Sequence, residues 1–115
     1  MILTDATVLI YNKPVDMRKA INGLSELASK ELDKELTGGK IFVFWNRSKD
    51  KIKILYWHIN GFCLLYKRLE KQKFNIPKVM PNHISVTSKE LRWLLDGLDF
   101  NNLSGHKELG YEYFY

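Results

Sequence analysis

Few side chains in this sequence could do covalent or metal chemistry, and they stand apart. The candidate zinc ligands are Cys63, His58, His83 and His106. A structural zinc wants four such ligands at short, recognisable spacing, and no such pattern joins these. His58 and Cys63 approach each other if they face across a hairpin. A cysteine on an apolar strand face, however, is ordinarily a small buried hydrophobe rather than a nucleophile. Two-metal phosphoryl transfer needs clustered carboxylates, whereas Asp5, Asp16, Asp50 and Glu70 are scattered, and Glu26 and Glu31 read as the solvated side of a helix. Gly38-Gly39 leads into a strand and not into a Lys-Ser/Thr and a helix, so it is no phosphate loop. The residues point to a protein that binds, with no catalytic residues, no metal and no cofactor.

What the sequence does concentrate is positive charge. The chain of 115 residues carries a net +5, and residues 40–79 hold ten basic side chains against only Asp50 and Glu70, while the remainder has eight basic against eleven acidic. A basic segment of this kind is the electrostatic footprint of a polyanion partner. The candidate phosphate-binding residues are Lys51, Lys53, Lys67, Arg68, Lys71 and Lys73, with Arg47 and Lys49 at a turn.

The elements that must position them follow from periodicity and turn chemistry. TVLIYNK, residues 7–13, is β-branched and aromatic and runs into a turn at Pro14. A helix follows, with Asp16 as its cap and Met17, Ala20, Ile21, Leu24, Leu27, Ala28 and Leu32 along one stripe, stopped by Gly38-Gly39. Gly23 inside the stripe suggests a close approach to another backbone. IFVFWN, KIKILYWHI and FCLLYKRLE then read as three strands of a meander. Asn60-Gly61 is a strong hairpin signal between the last two, because both turn residues must take positive φ. Phe74-Asn75-Ile76 adds a short edge strand ended by Pro77, and residues 78–86 are loop or a brief strand. Thr87 and Glu90 form a capping box that opens a second helix, with Leu91, Leu94, Leu95 and Leu98 on one face and Trp93 beside it.

A two-residue Asn60-Gly61 turn sets a register in which Trp57 faces Leu64, Lys53 faces Arg68, Lys51 faces Glu70 and His58 faces Cys63. The face carrying Ile52, Ile54, Tyr56, Leu65, Leu69, Val43 and Trp45 is then the core face against the first helix. The other face mixes Phe42, Phe44, Trp57, Phe62 and Tyr66 with Lys51, Lys53 and Arg68. Like charges directly opposite destabilise a sheet, so Lys53 against Arg68 is easier to explain with an anion between them. Aromatics beside cations also make a surface for stacked single-stranded bases. A solvated, aggregation-resistant face over a covered aromatic layer explains the same pattern.

The expected fold is therefore α+β: an antiparallel β-meander of three to five strands packed with two helices. Residues 1–100 form a single domain and 101–115 a C-terminal tail ending in Tyr111-Glu112-Tyr113-Phe114-Tyr115. A hydrophobic fraction of 45% supplies one core. The apolar run Ile41–Trp45 is far short of the ~18 residues of a membrane helix, and the start lacks the basic leader of a signal peptide. A single cysteine fits a reducing compartment, so the protein is expected to be cytoplasmic.

The ordered segments resemble a known family. Lys13-Pro14-Val15-Asp16-Met17-Arg18-Lys19 followed by Asn22-Gly23-Leu24 is similar to the opening signature of the accessory protein (TnpB) of IS-sixty-six-type bacterial insertion sequences. Phe42-Val43-Phe44, the block from Lys51 to Trp57, Asn60-Gly61-Phe62-Cys63-Leu64 and Lys67-Arg68-Leu69-Glu70 resemble its centre. Leu94-Leu95-Asp96-Gly97-Leu98-Asp99 resembles its close. The likeness spans residues 5–100, with Ile76 where a tryptophan is usual and Gln72 where a glycine is common. It implies an accessory role in transposition, beside a separate transposase that carries the strand-transfer chemistry. DNA at the transposon ends and the transposase are then the expected partners. Asp16 and Arg18 match the family's most recognisable motif, and the family brings no catalytic residues to carry over. A protein-interaction module that docks on the transposase without contacting DNA is the alternative, through the tail or the aromatic sheet face.

Overall fold

The computed structural model describes residues 7–76 and 83–97. Five strands, β1 (Thr7–Tyr11), β2 (Lys40–Trp45), β3 (Lys51–His58), β4 (Gly61–Arg68) and β5 (His83–Val86), form one sheet in the order β4-β3-β2-β1-β5. The helices are α1 (Ile21–Glu31) and α2 (Ser88–Leu95). The fold is α+β and the β2-β3-β4 meander is present. β1 pairs with β2 in parallel, and the other three pairings are antiparallel. The parallel pair follows from α1, which lies between β1 and β2 in the chain as the connection of a parallel pair requires.

Each sheet face is covered by its own layer. Val8, Ile10, Ile41, Val43, Trp45, Ile52 and Ile54 pack with Phe74, Ile76 and the α2 residues Leu91 and Leu94. Leu9, Tyr11, Phe42, Phe44 and Leu55 pack with Leu24 and Ala28 of α1. This reverses the expected assignment of faces. α1 lies on the aromatic face, where Phe42 and Phe44 are completely buried, and the aliphatic face belongs to α2. The central strands β1 and β2, buried on both sides, therefore read as nearly continuous apolar runs.

α1 is shorter than its periodicity suggests. Asp16 does not cap it: the Asp16 carboxylate accepts the backbone N–H of Arg18 at 2.9 Å, a local side-chain turn that competes with helix. Ala20 occupies the N-cap without a side-chain bond, and the helix ends at Leu32, not at Gly38-Gly39. Gly39 instead takes φ of 75° where the chain enters β2. Among the described residues the atoms nearest to a Cβ added at Gly23 belong to the Lys19 side chain, at 3.4 Å, and not to a second backbone.

The β3–β4 hairpin departs from its expected register. Its turn residues are Ile59-Asn60, so His58 faces Gly61, Trp57 faces Phe62, Lys53 faces Tyr66 and Lys51 faces Arg68. The shift is two residues, which keeps every side chain on its face but changes every partner. It brings Trp57 and Phe62 into an edge-to-face pair with ring centres 5.0 Å apart. It also places Ile59, 82% exposed, at φ 56°. The Phe74 segment is no strand: Phe74 and Ile76 leave the sheet plane and fill the α2 side of the core. Pro77 lies outside the described residues. The Thr87 capping box is formed, with Glu90 N–H donating to Thr87 Oγ1 at 3.1 Å and Thr87 N–H to Glu90 Oε1 at 2.9 Å. Leu91, Leu94 and Trp93 are buried, and Leu98 lies outside the described residues.

Candidate nucleic-acid interface

The β2–β3 turn is built around Asn46. Its side-chain oxygen accepts the N–H groups of Asp50 and Lys51 at 3.1 and 2.9 Å, and its amide donates to Asp50 Oδ1 at 2.7 Å. The Lys49 N–H closes the turn on the Asn46 carbonyl at 2.9 Å, with Lys49 itself at φ 60°. Arg47 and Ser48 are exposed at the tip.

A second segment is fastened onto this turn. Leu69 N–H donates to the Asp50 carbonyl at 2.8 Å and Phe74 N–H to the Lys49 carbonyl at 2.7 Å. Lys73 Nζ donates to the Ser48 carbonyl at 2.6 Å. With Phe74 sunk in the core, residues 69–74 are held against the turn from below. Arg47, Lys49, Lys71 and Lys73, drawn from two parts of the chain, therefore share one end of the sheet. Arg47, Lys71 and Lys73 are exposed.

The other four expected residues have different occupations. Lys51 faces Arg68 across the strands, but each has a carboxylate of its own: Asp50 lies 3.4 Å from Lys51 and Glu70 lies 2.9 Å from Arg68. Glu70 raises the affinity of the Arg68 guanidinium for its proton through the side-chain hydrogen bond. The Asp50 carboxyl is held below its ordinary range, first by the Asn46 amide and further by Lys51. Lys53 does not face Arg68, so no anion is needed between them. Its ammonium lies 5.7 Å above the centre of the Tyr66 ring and donates to the carbonyls of Met17 and Lys19 at 2.7 and 2.9 Å. Lys67 donates to the Leu95 carbonyl at 2.6 Å, a cation at the C-terminus of α2. Lys40 sits at the opposite end of the sheet, 2.8 Å from Asp33. Lys78 lies outside the described residues.

The parallel β1–β2 pairing adds residues that spacing alone did not assign. Tyr11 and Trp45 end their strands on the same side, the Trp45 indole donates to the Tyr11 carbonyl at 2.6 Å, and Val15 N–H donates to the Trp45 carbonyl at 2.8 Å. The loop after β1, carrying Lys13, Arg18 and Lys19, is thereby drawn to the basic end. Arg18 is engaged by Asp16, with its guanidinium 2.7 Å from the carboxylate. That hydrogen bond, ahead of the backbone bond and the charge itself, holds the Asp16 carboxyl at about 2. The sequence signal for Lys13 and Lys19 was the connection length between β1 and β2, which permits a parallel pair.

His58 faces Gly61, and Cys63 faces Tyr56, so the two are not cross-strand partners. Among the described residues no three of His, Cys, Asp and Glu gather as a metal site. His106 and Asp5 lie outside those residues, as does the tail from 101 to 115. No described helix is long and apolar enough to cross a membrane.

Comparison with known proteins identifies a family. A family model described as IS66 Orf2 like protein matches residues 6–105. Two uncharacterized proteins of Sinorhizobium fredii are similar along most of their length. One, y4jC, is 32% identical over 96 residues, covering 84% of this chain and 82% of its own. The other, y4hO, is 30% identical over 95 residues, covering 83% of each. No solved structure matches.

Proposed function

Because the chain belongs to the IS66 Orf2-like family, we propose that it is a non-catalytic, cytoplasmic accessory protein of insertion-sequence transposition. It binds DNA at the transposon ends through the basic end of its sheet. A separate transposase supplies the strand-transfer chemistry. The observation that carries this reading is the fastening of residues 69–74 onto the 46–50 turn, by Leu69 N–H on the Asp50 carbonyl, Phe74 N–H on the Lys49 carbonyl and the Lys73 ammonium on the Ser48 carbonyl, which brings Arg47, Lys49, Lys71 and Lys73 to one end of the sheet. Among the described residues no acid forms an ion pair with any of the four. Lys51, Lys53, Lys67 and Arg68 add to the local potential more than to direct contact.

A mobility-shift titration with transposon-end DNA from about 50 to 200 mM salt tests this, with about four phosphates neutralised giving a slope of log affinity on log salt of roughly −3 to −4. Reversing charge at Arg47 and Lys71 should abolish the shift. An unaltered shift in that variant, or none at low salt in the parent, defeats the proposal.

One observation favours docking on the transposase as a second reading. The hairpin tip presents Ile59, 82% exposed, beside the Trp57–Phe62 pair and at the far end of the sheet from the cations. Exposed apolar groups of this kind make interaction hot spots. Co-purification lost in Ile59→Asp, with DNA binding intact, supports it. Loss only on deleting residues 101–115 moves the docking site to the tail.

A further inference from the structure

Resting on the DNA-binding reading, we infer that the nucleic acid held at the basic end is a duplex, engaged through its phosphates and not through stacked bases. Single-strand binding needs aromatic rings beside the cations, so that bases stack while phosphates are neutralised. The fold keeps accessible rings away from Arg47, Lys49, Lys71 and Lys73. Phe42 and Phe44 are wholly buried beneath α1. Tyr11 and Trp45, at the basic end itself, are 6% and 7% exposed, and the Trp45 indole is committed to the Tyr11 carbonyl.

The accessible rings lie elsewhere. Trp57 and Phe62 are six residues along the strands from the Lys51–Arg68 pair, about 20 Å at 3.4 Å per residue. Tyr66 is half exposed, but the Lys53 ammonium occupies one side of its ring, and Lys53 is itself anchored by two loop carbonyls. The face of Tyr66 that Lys53 covers is therefore closed to a stacked base.

What remains at the basic end suits a rigid, regularly charged ligand. Lys49, Lys71 and Lys73 are point charges suited to phosphate oxygens. The Asn46 amide is consumed inside its own turn. The turn and the 69–74 segment are fixed to each other, so the cations meet their partner with little ordering left to do. A duplex offers phosphates at fixed positions; a flexible single strand would have to be ordered on contact.

The test is fluorescence anisotropy of the full chain with a labelled duplex of about 20 base pairs and with one of its strands, across about 50–200 mM salt. The duplex should bind at least about tenfold more tightly, with a salt slope of about −3.6 for four phosphates, and Arg47→Gln with Lys71→Gln should roughly halve that slope. Both positions are exposed, and an unchanged thermal melt shows that the variant is folded. Tyr66→Ala should leave duplex affinity within about twofold, as expected for a ring that stacks no base. Tighter binding of the single strand, or loss of affinity in Tyr66→Ala, overturns the inference while leaving nucleic-acid binding intact. Absence of both complexes at low salt removes the DNA-binding reading itself, and this inference with it.

Discussion

Replacing Ile59 with glycine should make the protein more stable, although it deletes a large apolar side chain. Ile59 lies at the β3–β4 tip with φ 56°, and Asn60 N–H reaches back across it to the His58 carbonyl at 2.6 Å. This is the tight left-handed three-residue turn that ordinary residues avoid. A Cβ in that region costs about 1–2 kcal/mol, and β-branching worsens the clash. Glycine removes the clash but loosens the unfolded chain by about 0.5–1 kcal/mol. Little burial is lost, because the side chain is 82% exposed. The balance is a gain of about 1 kcal/mol, raising the melting temperature by about 4 °C in a domain of this size. Ile59→Asn, which tolerates the left-handed region without glycine's added freedom, should do at least as well. Urea unfolding of both variants beside Ile59→Val measures it. If glycine and asparagine both lower the midpoint, the tip is not strained and the argument fails. If they raise it while transposase co-purification is lost, the strain is retained for docking.

Two other perturbations test the supports of the basic end. Phe74→Ala should destabilise by about 3–5 kcal/mol, a value ordinary for emptying a full aromatic site and large for a residue outside any helix or strand; a urea midpoint shift equivalent to under about 1 kcal/mol would mean that the segment is not anchored. Asp16 should titrate at about 2, below the ordinary 3.8 of an aspartate, and Arg18→Ala should raise it toward the ordinary value in a carboxylate NMR titration, with the residue-18 backbone N–H still lowering it. The sign follows from the depressed value: the Asp16–Arg18 link is complete above about pH 4 and is lost as pH falls through about 2. The pair is exposed, so global stability should hardly move with it. An Asp16 titration unchanged by Arg18→Ala would exclude the guanidinium as the cause.

Local signals in the sequence were sufficient where the structure depends on local bonds. Thr87 and Glu90 lie three residues apart and satisfy each other's backbone, so the start of α2 was legible. The three central strands were legible from β-branched and aromatic runs broken by polar turns. The hairpin register was not, because Asn60-Gly61 competes with remote constraints: the Trp57–Phe62 contact and the tie between Leu69 and Asp50. Asp16 misled for a related reason, since an aspartate that can cap a helix can equally bind the N–H two residues on. Assigning α1 to its sheet face required knowing that β1 and β2 run parallel, and periodicity within α1 does not carry that. For the interface, the charged segment was visible, but the sorting of its cations was not. Lys53 and Lys67 look like Lys71 in sequence, and only distant carbonyls at Met17, Lys19 and Leu95 set them apart.

The position of β1 in the sheet has a consequence for the nascent chain. Val8 lies between Ile41 of β2 and Val86 of β5, so its two flanks are completed at very different times during synthesis. The β2 flank closes once residue 45 has cleared the ribosome. The β5 flank stays bare until residue 86 follows, about 2–8 s later at about 5–20 residues per second. In that interval a strand with four of its five residues buried in the finished fold offers a row of open backbone donors and acceptors. A truncated product ending before β5 would keep that flank permanently open, and should aggregate where the longer chain stays dispersed.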